Sequence, residues 1–370
     1  MPTPLGKTLL IANPAAQNGN GAAAAERAAA LLGDALGDGS LDVAPTRGPG
    51  EAVRLAAGAG AYETVLALGG DGIIHEAANG LMQLPAGERP AFGIVPVGSG
   101  NDYARTIGMS ARSVDAAVAQ LLAACARPAD VGRCNGKFFV ETLSFGVDAA
   151  IALDTVERRA RTGRTGTALY LASGMDRLLH HLDCHRYTAS FDGGEPVRGA
   201  SFTFAVQVGP TYGGGFRICP DARIDDGLLD VCIAHPPFGI ARAVFVFLLA
   251  KGGRHTGFRQ IELRRARTLS VRFDAPPPVQ IDGEPLEASE YAIDVVPRAL
   301  DVLVPERPPD LREIPDGPHI GSARSAAGGR SGAVSRSARA SLCRPRGRGS
   351  SRLRSARATS SHRPTPTAGA

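Results

Sequence analysis

The sequence contains no hydrophobic run long enough to span a membrane. Its longest apolar stretch, FGIARAVFVFLLA (Phe238–Ala250), falls short of the roughly 20 residues that a span requires and includes Arg242. The apolar run near the N-terminus, LLIA, is also too short for the hydrophobic region of a signal peptide. We therefore predict a cytoplasmic protein whose contact with membranes is at most peripheral.

Closely spaced cysteines are also absent. The six cysteines are scattered along the chain without any CxxC spacing. In a chain of this length we expect reduced, mostly buried thiols, as in an intracellular protein. The segment HHLDCH (residues 180–185) lacks a second group of metal ligands. An ordinary polar junction between a helix and a strand is therefore favoured there over a metal cluster.

Acidic residues are missing from the C-terminal tail. Residues 321–370 contain eleven Arg and no Asp, Glu or Lys. Residues 1–320 therefore hold 30 Lys and Arg against 36 Asp and Glu, a formal charge of about −6, although the whole chain is formally +5. The excess positive charge belongs to the tail, so we predict no nucleic-acid binding by the body of the protein.

The tail also lacks aromatic residues, since none follows Tyr291. Sequence rich in Ser, Arg, Gly and Pro cannot bury enough apolar surface to offset the entropy of ordering its backbone. We therefore predict that residues 308–370 are disordered. A second interpretation is that the arginines hold the protein at an anionic bilayer, where each contributes about 1 kcal/mol. A solvated extension is the favoured interpretation.

The first third of the chain contains a repeated pattern of short strands and helices. Runs such as TLLIA, LDVAPT, TVLAL and FGIVPV alternate with helical segments, which predicts a Rossmann-like α/β domain with a parallel sheet covered on both faces. From Arg127–Pro128 onward, short alternating runs such as KFFVETLSFGV, broken by Gly, Pro and Asp-Gly turns, predict an antiparallel β-sandwich. Two helical insertions are predicted in it, at residues 165–182 and Phe238–Gly252, and a last strand at Ala299–Pro305.

The segment TVLALGGDGIIHEAA places Gly69, Gly70, Asp71 and Gly72 between a buried strand and a helix. Glycines let successive backbone N–H groups face an anion, and the helix N-terminus adds favourable electrostatics. A carboxylate beside phosphate fits a Mg²⁺ ion that bridges the phosphates, so Asp71 is a candidate catalytic metal ligand. The alternative is a tight turn in which Asp71 only caps the helix.

A second strand, FGIVPV, ends in a similar loop. Gly98, Ser99 and Gly100 follow it, and a helix begins at Asn101-Asp102. Ser99 and Asn101 can donate hydrogen bonds to phosphate or ribose, while Asp102 can cap the helix or help to position a metal ion. Two neighbouring strands with glycine-rich polar ends predict one shared nucleotide crevice.

Together, ALGGDGIIHEAANGL and GIVPVGSGNDYAR resemble the catalytic domain of the diacylglycerol kinase family, in its small bacterial lipid-kinase branch. The segments NPAA, YGGGFRICPDARIDDGLLDV, KGGRHTG and QIDGEPLE follow the order of that family, so the resemblance extends over roughly residues 6–304. Sphingosine and ceramide kinases are relatives, and NAD kinase and phosphofructokinase share the fold more distantly.

The resemblance implies an ATP-binding α/β domain over residues 1–127, a lipid-substrate β-sandwich domain over 128–297, and a segment over 298–307 that returns to the first domain. The active site would lie in the cleft between the domains. Glu76, one helical turn past the glycines, would support the loop by hydrogen bonds, or else is a solvated helix residue. The other residues implied at the ATP site are Asn13, Pro14, Thr46, Gly69, Gly70, Asp71, Gly72, Gly98, Ser99, Asn101 and Asp102.

The resemblance also implies the chemistry. Glu284, in QIDGEPLE, matches the catalytic carboxylate and would accept the proton of the acceptor hydroxyl, while Asp282 would orient it or aid metal binding. By itself, IDGE predicts an ordinary hairpin turn. In ARIDDGLLD, the resemblance implies a second, structural Mg²⁺ held by Asp226 and by backbone oxygens of Arg223 and Leu228. The alternative there is an Asp-Gly turn between strands.

Two positions depart from the family pattern. Ile73 stands where a threonine usually follows GGDG, which removes a hydroxyl that could contact phosphate, although related sphingosine kinases also carry an apolar residue there. Gln17 stands where the first loop commonly has a glycine. ATP affinity is the property that these two changes put in question.

The leading interpretation is an ATP- and Mg²⁺-dependent lipid kinase that phosphorylates diacylglycerol or a similar lipid at an anionic membrane. Two others stay open, a kinase of a soluble acceptor such as NAD and a nucleotide-binding regulator without activity. A dinucleotide fingerprint, Gly19-x-Gly21-x-x-Ala24 with Asp42, is disfavoured because Gly19 lies well beyond the strand end at Ala12. The oligomeric state is left open, with a homodimer as one option.

Overall fold

Residues 5–164 and 166–306 are described by the computed structural model, excluding the side chain of Asn18. The predicted tail at residues 308–370 lies outside the described residues. The strands are β1 (Thr8–Ala12), β2 (Leu41–Pro45), β3 (Thr64–Gly69), β4 (Ala91–Pro96), β5 (Cys125–Cys134), β6 (Lys137–Phe139), β7 (Thr142–Gly146), β8 (His185–Phe191), β9 (Val197–Ser201), β10 (Thr203–Gln207), β11 (Leu229–Ala234), β12 (Ile261–Ala266), β13 (Thr268–Phe273), β14 (Val279–Ile281), β15 (Glu284–Pro285) and β16 (Glu290–Val304). The helices are α1 (Ala16–Leu36), α2 (Glu51–Ala57), α3 (Asp71–Leu81), α4 (Asp102–Thr106), α5 (Val114–Leu122), α6 (Val147–Thr162), α7 (Thr167–His180) and α8 (Ile240–Ala250).

The N-terminal strands form a parallel sheet because they are apolar along their whole length. Every residue of β1 and β3 is buried, as expected for strands that are covered on both faces. The strand order is β2-β1-β3-β4, so right-handed crossovers place α1 on one face and α2 and α3 on the other. α1 packs against α5, and α2 packs against α3. This arrangement confirms the predicted α/β fold of the N-terminal part.

The same sheet continues into an antiparallel half through β16. The C-terminal end of β16 pairs in parallel with β4 at Val302 and Phe92, while its N-terminal part pairs antiparallel with β13. β5 runs antiparallel to both parts, and the register shifts around Arg298. There Arg298 adopts a φ of 52° and its N–H donates to the buried carboxylate of Asp130 at 2.8 Å. The predicted strand at Ala299–Pro305 is therefore the end of one 15-residue strand.

A second sheet of six strands completes the predicted sandwich. Its order is β12-β11-β10-β7-β14-β15, and all of its strand pairs are antiparallel. It packs on the antiparallel half of the first sheet through a core rich in aromatic side chains. The ring of Phe145 meets Phe204 edge to face at 5.9 Å and Tyr291 at 4.8 Å between centroids. Such contacts stabilise a core beyond the area that they bury.

Three helices of the described chain, rather than the predicted two, pack together beside the six-stranded sheet. α7 and α8 correspond to the predicted insertions, whereas α6 was not predicted. The run KFFVETLSFGV, predicted as strand, contains β6 and β7 and ends on the first residue of α6. β7 ends at Gly146, which has a φ of 85°, and α6 begins at the next residue, so no loop marks where the strand period ends.

Two weaker sequence signals lie in ordinary structure. The disfavoured dinucleotide fingerprint at Gly19–Ala24 falls inside α1 and not in a tight turn after β1, as expected. HHLDCH joins the end of α7 to the start of β8. In the part of the chain that the structure describes, no group of three His, Cys, Asp or Glu side chains is placed to hold a metal ion. No helix among the described residues is both long and apolar enough to cross a bilayer.

The contact between α2 and α3 depends on Gly80, because a Cβ there would lie 2.3 Å from the carbonyl oxygen of Val53 and 2.6 Å from the Cβ of Ala56. We expect Gly80→Ala to lower the free energy of unfolding by about 1–3 kcal/mol, since the two helices must move apart. Gly33→Ala in α1, where a Cβ meets nothing within 4 Å, should raise it by up to about 1 kcal/mol through helix propensity. Denaturant unfolding tests the contrast, and a stabilised Gly80→Ala variant would contradict the packing.

Candidate active site

A cleft of about 400 Å³ lies at the carboxyl ends of β1, β3 and β4 and faces the β14–β15 hairpin. Ligand crevices in open parallel sheets form at this end of the strands. Five of the residues predicted at the ATP site are not part of its lining, namely Pro14, Thr46, Gly69, Glu76 and Asn101. Nine predicted site residues line it: Asn13, Gly70, Asp71, Gly72, Gly98, Ser99, Asp102, Asp282 and Glu284.

The two glycine loops touch each other at the centre of the cleft. A Cβ on Gly98 would lie only 2.4 Å from the Cα of Gly70, and one on Gly100 would lie 2.6 Å from Oδ2 of Asp71. The N–H of Val97 also donates to the carbonyl of Gly69 at 2.7 Å. Side chains at these positions would force the loops apart, so glycine is required for the approach of the two backbones. The sequence motifs therefore form one structure and not two independent turns.

Two of the predicted polar residues shape these loops through short-range hydrogen bonds. The amide group of Asn101, which adopts a φ of 53°, accepts from the N–H of Gly98 at 2.8 Å and donates to its carbonyl at 2.8 Å. The side chain of Asn13 accepts from the N–H of Ala15 at 3.0 Å. Asn101 thereby closes its own loop, which explains why it lies outside the cleft lining.

Two carboxyl groups, those of Asp71 and Glu141, form a hydrogen-bonded pair in the cleft. Asp71 Oδ1 also accepts from the N–H of Asp102 at 2.9 Å, and Glu141 Oε1 accepts from the N–H of Tyr103 at 3.0 Å. Burial, followed by the charge of Asp102, raises the pKa of Asp71 to about 6. Burial and the charge of Asp71 raise the pKa of Glu141 well above its usual range. The pair therefore retains a proton at neutral pH unless a cation is bound.

Asp102 connects the second glycine loop to the YGGG segment between β10 and β11. Its side chain does not cap α4 but accepts from the N–H groups of Gly214 and Gly215, each at 2.6 Å. Arg105, one turn along α4, donates to the same carboxylate at 2.5 Å. Gly213, Gly214 and Gly215 all have positive φ, which points successive N–H groups toward Asp102.

Asp282 is fully engaged in hydrogen bonds. Its carboxylate accepts from the N–H groups of Val140, Glu141 and Thr142 at 2.8–3.0 Å, and Nδ1 of His75 lies 2.9 Å from Oδ2. Burial alone would lower the pKa of His75, but the hydrogen bond and the charge of Asp282 outweigh it and the pKa is raised. The carboxylate thus joins α3 to the start of β7.

Glu284 differs from Asp282 although only Gly283 separates them. It is solvent-exposed and lines the cleft, and its side chain forms no hydrogen bond or ion pair with another described residue. Asp282 and Gly283 both have positive φ, which turns the hairpin so that one carboxylate is buried and the next is presented to the cleft. A carboxylate without a protein partner is available to a substrate.

The remaining predicted residues support the loops from outside the cleft. Glu76 caps the neighbouring helix α2, because its two oxygens accept from the N–H groups of Gly50 at 2.8 Å and Ala52 at 3.2 Å. Such a cap satisfies N–H groups that have no partner within their own helix. The hydroxyl of Thr46 donates to the carbonyl of Ala12 at 3.3 Å, at the end of β1.

The two departures from the family pattern also make defined contacts. Ile73 is buried under the first glycine loop, where its Cγ2 lies 2.8 Å from the position that a Cβ of Gly69 would take. The side-chain amide of Gln17, which has a φ of 48°, donates to the carbonyl of Gly98 at 3.3 Å. Ile73 therefore packs against the backbone of Gly69, while Gln17 connects the loop after β1 to the second glycine loop.

The predicted structural Mg²⁺ site stays a prediction. The carboxylate of Asp226 forms an ion pair with Arg265 and accepts from the N–H of Leu228 at 3.2 Å. The side chain of Arg223 pairs with Asp225 at 3.1 Å. A cation at Asp226 would have to compete with the guanidinium of Arg265.

Several residues of the cleft were not predicted from the sequence. Glu141 carries a signal that could have been used, since it is an isolated acidic residue in the apolar run FFVETLSFGV. Tyr170, Tyr212 and Arg159 reach the cleft from α7, the loop after β10, and α6. Tyr212 begins the YGGG segment of the family resemblance, and Tyr170 lies in the helix predicted at residues 165–182, whereas Arg159 lies on α6, which was not predicted.

Comparison with known proteins assigns the chain to a class of enzyme. A model of the diacylglycerol kinase catalytic domain matches residues 7–134, and one described as the YegS C-terminal NAD kinase beta sandwich-like domain matches residues 141–304. A Pseudomonas aeruginosa PAO1 protein named "Probable lipid kinase YegS-like" is 35% identical over 263 residues, covering 70% of this chain and 82% of the relative. The protein is thus a kinase. It belongs to the diacylglycerol kinase catalytic-domain family, which confirms the resemblance found in its motifs.

Two further proteins extend the comparison. The diacylglycerol kinase of Bacillus subtilis 168 is 29% identical over 223 residues, covering 60% of this chain and 71% of the relative. The crystal structure of a diacylglycerol kinase from Bacillus anthracis Sterne matches with a TM-score of 0.66 at 22% identity, covering 83% of this chain and 99% of that one. The structural likeness shows that the two chains share a fold.

The raised pKa of Asp71 predicts how stability changes with pH. An acid whose pKa is higher in the folded than in the unfolded chain stabilises the fold less as the pH rises, here from about 4 to about 6. Asp71→Asn cannot ionise, so we expect it to exceed the wild type in free energy of unfolding by about 1–3 kcal/mol at pH 7, and by much less at pH 4. Denaturant unfolding at both pH values measures this. Exposed Asp38→Asn serves as the control, and a pH-independent difference for Asp71→Asn would contradict the expectation.

Proposed function

We propose that this kinase transfers the γ-phosphate of ATP, with Mg²⁺, to the hydroxyl of diacylglycerol or a related lipid. One observation carries the proposal: Asp71, beside two touching glycine loops, lines the same cleft as the unpaired carboxylate of Glu284. Phosphoryl transfer needs alignment, charge neutralisation and a proton acceptor, and this cleft offers residues for each. The names of the relatives, a lipid kinase and a diacylglycerol kinase, point to the same acceptor class.

The cleft fits a triphosphate and a divalent cation. Among the described residues no side chain caps the N-terminus of α3, so the N–H groups that follow Gly70 can bind an anion. Asp71 and Glu141 place two carboxyl groups against each other, an arrangement that a cation would stabilise, and Mg²⁺ prefers oxygen ligands. These two residues would hold the ion, which when bound offsets the negative charge of the phosphates.

Glu284 would act as the general base. Its exposed carboxylate accepts the proton of the acceptor hydroxyl while the hydroxyl oxygen bonds to the γ-phosphorus. The bond from that phosphorus to the β–γ bridging oxygen breaks, and ADP leaves. Asp282, whose carboxylate is already bound by backbone N–H groups and His75, would position Glu284 rather than react.

Apolar side chains in the cleft support a lipid acceptor over a soluble one. Ile73, Ala152 and Val156 line the cleft together with the carboxylates. A lipid hydroxyl carries apolar groups that such walls can cover, whereas NAD presents charge and ribose hydroxyls. Arg159, also in the lining, supplies a positive charge near the site of transfer.

The role of Glu284 is tested by its isosteric variant. We expect Glu284→Gln to lower kcat by about 10²–10⁴-fold, because the base is lost, and to leave the melting temperature unchanged. Radiolabel transfer from ATP to diacylglycerol in mixed micelles measures this. Glu287→Gln, on the same hairpin and also exposed, is the matched control. Full activity of Glu284→Gln, or of Asp71→Ala, would refute the assigned role of that residue.

A positioning residue should give a different signature. Asp282→Asn replaces an acceptor of four donors by a group that must itself donate, so we expect a loss of about 2–4 kcal/mol in unfolding free energy together with reduced kcat. Asp294→Asn, which breaks a more exposed pair with Arg133, should lose at most about 1 kcal/mol. If Asp282→Asn lost activity at undiminished stability, a direct chemical role would be indicated.

The acceptor is identified by phosphorylating a total membrane lipid extract with ATP and the full-length protein. Mass spectrometry should then detect lipids that have gained a phosphate, and the Glu284→Gln variant should yield none. NAD is offered in a parallel reaction. Phosphorylation of NAD with no phosphorylated lipid would overturn the lipid assignment and favour the soluble acceptor.

A further inference from the structure

Helix α8 is apolar all round yet lies on the surface. Of its eleven residues, IARAVFVFLLA, only Arg242 is polar. A helix with apolar residues on every side is normally enclosed by protein or by lipid. In α8, protein covers only one side, so the other side needs an explanation.

The covered side of α8 is well packed. Val246 and Ala250 are buried, and the ring of Phe247 stacks on Phe216 with 4.9 Å between centroids. The opposite side is open: Ile240 is 47% exposed, Phe245 55% and Leu248 50%. Three of the eight large hydrophobic residues that are exposed in the described chain thus lie on this one helix. Clustered apolar exposure of this kind marks an interaction surface.

The surroundings of the exposed face are positively charged. Residues 231–261 contain no Asp or Glu. Arg242, Arg254 and Arg259 are exposed, and none of the three forms an ion pair with another described residue. By contrast, arginines on the adjacent strand β12 pair with carboxylates. An apolar strip bordered by uncompensated cations complements an anionic lipid surface.

We propose that the exposed face of α8 (Ile240, Phe245 and Leu248, bordered by Arg242, Arg254 and Arg259) docks onto an anionic lipid bilayer. The apolar side chains enter the boundary between headgroups and acyl chains, and the arginines face the phosphates. The proposal rests on the proposed lipid-kinase function, because a lipid acceptor in the membrane is the reason for the protein to dock there. A second copy of the chain fits this face less well, because two such patches would bring like charges together.

The position of α8 connects this face to the cleft. Lys251, directly after the helix, donates to the carbonyl of Gly214, and the N–H of Gly214 donates to Asp102 in the second glycine loop. The C-terminal end of α8 is therefore joined through Gly214 to Asp102, which lines the cleft. A lipid hydroxyl would reach the cleft from that side without the lipid leaving the membrane.

Tryptophan fluorescence tests the docking directly, because the chain contains no Trp. In full-length Phe245→Trp, vesicles of phosphatidylcholine with phosphatidylglycerol should shift the emission to the blue, and brominated acyl chains should quench it. Leu263→Trp, placed on β12 at a site that is 44% exposed, is the matched control and should show neither effect. If the protein binds vesicles but the emission maximum of Phe245→Trp stays at the wavelength of a tryptophan in water, the proposal is overturned. An equal shift for Leu263→Trp would do the same.

Vesicle sedimentation provides the second measurement. Phe245→Ser/Leu248→Ser should reduce partitioning to the anionic vesicles about tenfold or more, with Leu263→Ser within about twofold of the wild type. All variants keep the tail, so its charge contributes equally. Unchanged binding of the double variant would overturn the proposal. So would light scattering that shows a wild-type dimer which the double variant dissociates.

Phosphorylation of a water-soluble, short-chain diacylglycerol separates the docking from the proposed function. We expect the double variant to keep wild-type activity on this acceptor while losing activity on vesicles. If the wild type phosphorylates the soluble lipid but Phe245→Trp is not buried by vesicles, only the docking fails. If no lipid is phosphorylated but Phe245→Trp is buried, the docking stands and the proposed function fails.

Discussion

The geometry of the cleft depends on one buried carboxylate. Asp282 accepts hydrogen bonds from three successive backbone N–H groups before and at the start of β7 and from His75 on α3. In surroundings of low dielectric, donors that lost this acceptor would stay unsatisfied, so the arrangement is strongly favoured. Because Glu141 is one of the three donors and Glu284 lies two residues further along the hairpin, one group sets the positions of both. The hydrogen bonds of Asp282 therefore fix the position of the Asp71–Glu141 pair relative to the exposed carboxylate of Glu284.

A second constraint is the close approach of two loops that carry almost no side chains. Gly70 and Gly98 touch backbone to backbone, and Asp71 is held beside them by the N–H of Asp102. This approach places Asp71 against Glu141. Burial raises the pKa of both carboxyl groups, the charge of Asp102 adds to the rise at Asp71, and the charge of Asp71 adds to the rise at Glu141. Natural proteins tolerate such locally unfavourable electrostatics mainly at functional sites. The cleft is thus less stable than an apolar core would be, and it is suited to bind positive charge.

The two halves of the molecule are joined by continuous structure. β16 pairs with β4 of the parallel part and with β13 of the antiparallel part, so one sheet runs through both. Asp102 adds a second connection, from the second glycine loop to Gly214 and Gly215, and Lys251 extends it to the end of α8. A few hydrogen bonds therefore link the second glycine loop to α8, a helix with an exposed apolar face.

The sequence by itself determined the fold class and the two glycine motifs. Continuous apolar strands predict a parallel sheet, and glycines at strand ends predict where an anion can approach, because both depend on local backbone chemistry. Local sequence did not reveal α6, since its only boundary signal is Gly146. Local sequence also predicted a separate strand at the end of the body, whereas the structure has one continuous strand, β16. The register shift around Arg298 depends on pairing with β5, which the local sequence does not contain.

The surroundings of each carboxylate are set by contacts that form only in the folded chain. Asp282 and Glu284 lie in the same four-residue motif, yet the first is saturated by donors from β7 and α3 while the second has no partner among the described residues. Glu76 caps a different helix from the one that carries it, and Glu141 meets Asp71 across 70 positions of the chain. Such roles depend on contacts between distant segments, and a local sequence pattern contains no information about which distant donors will surround a given side chain.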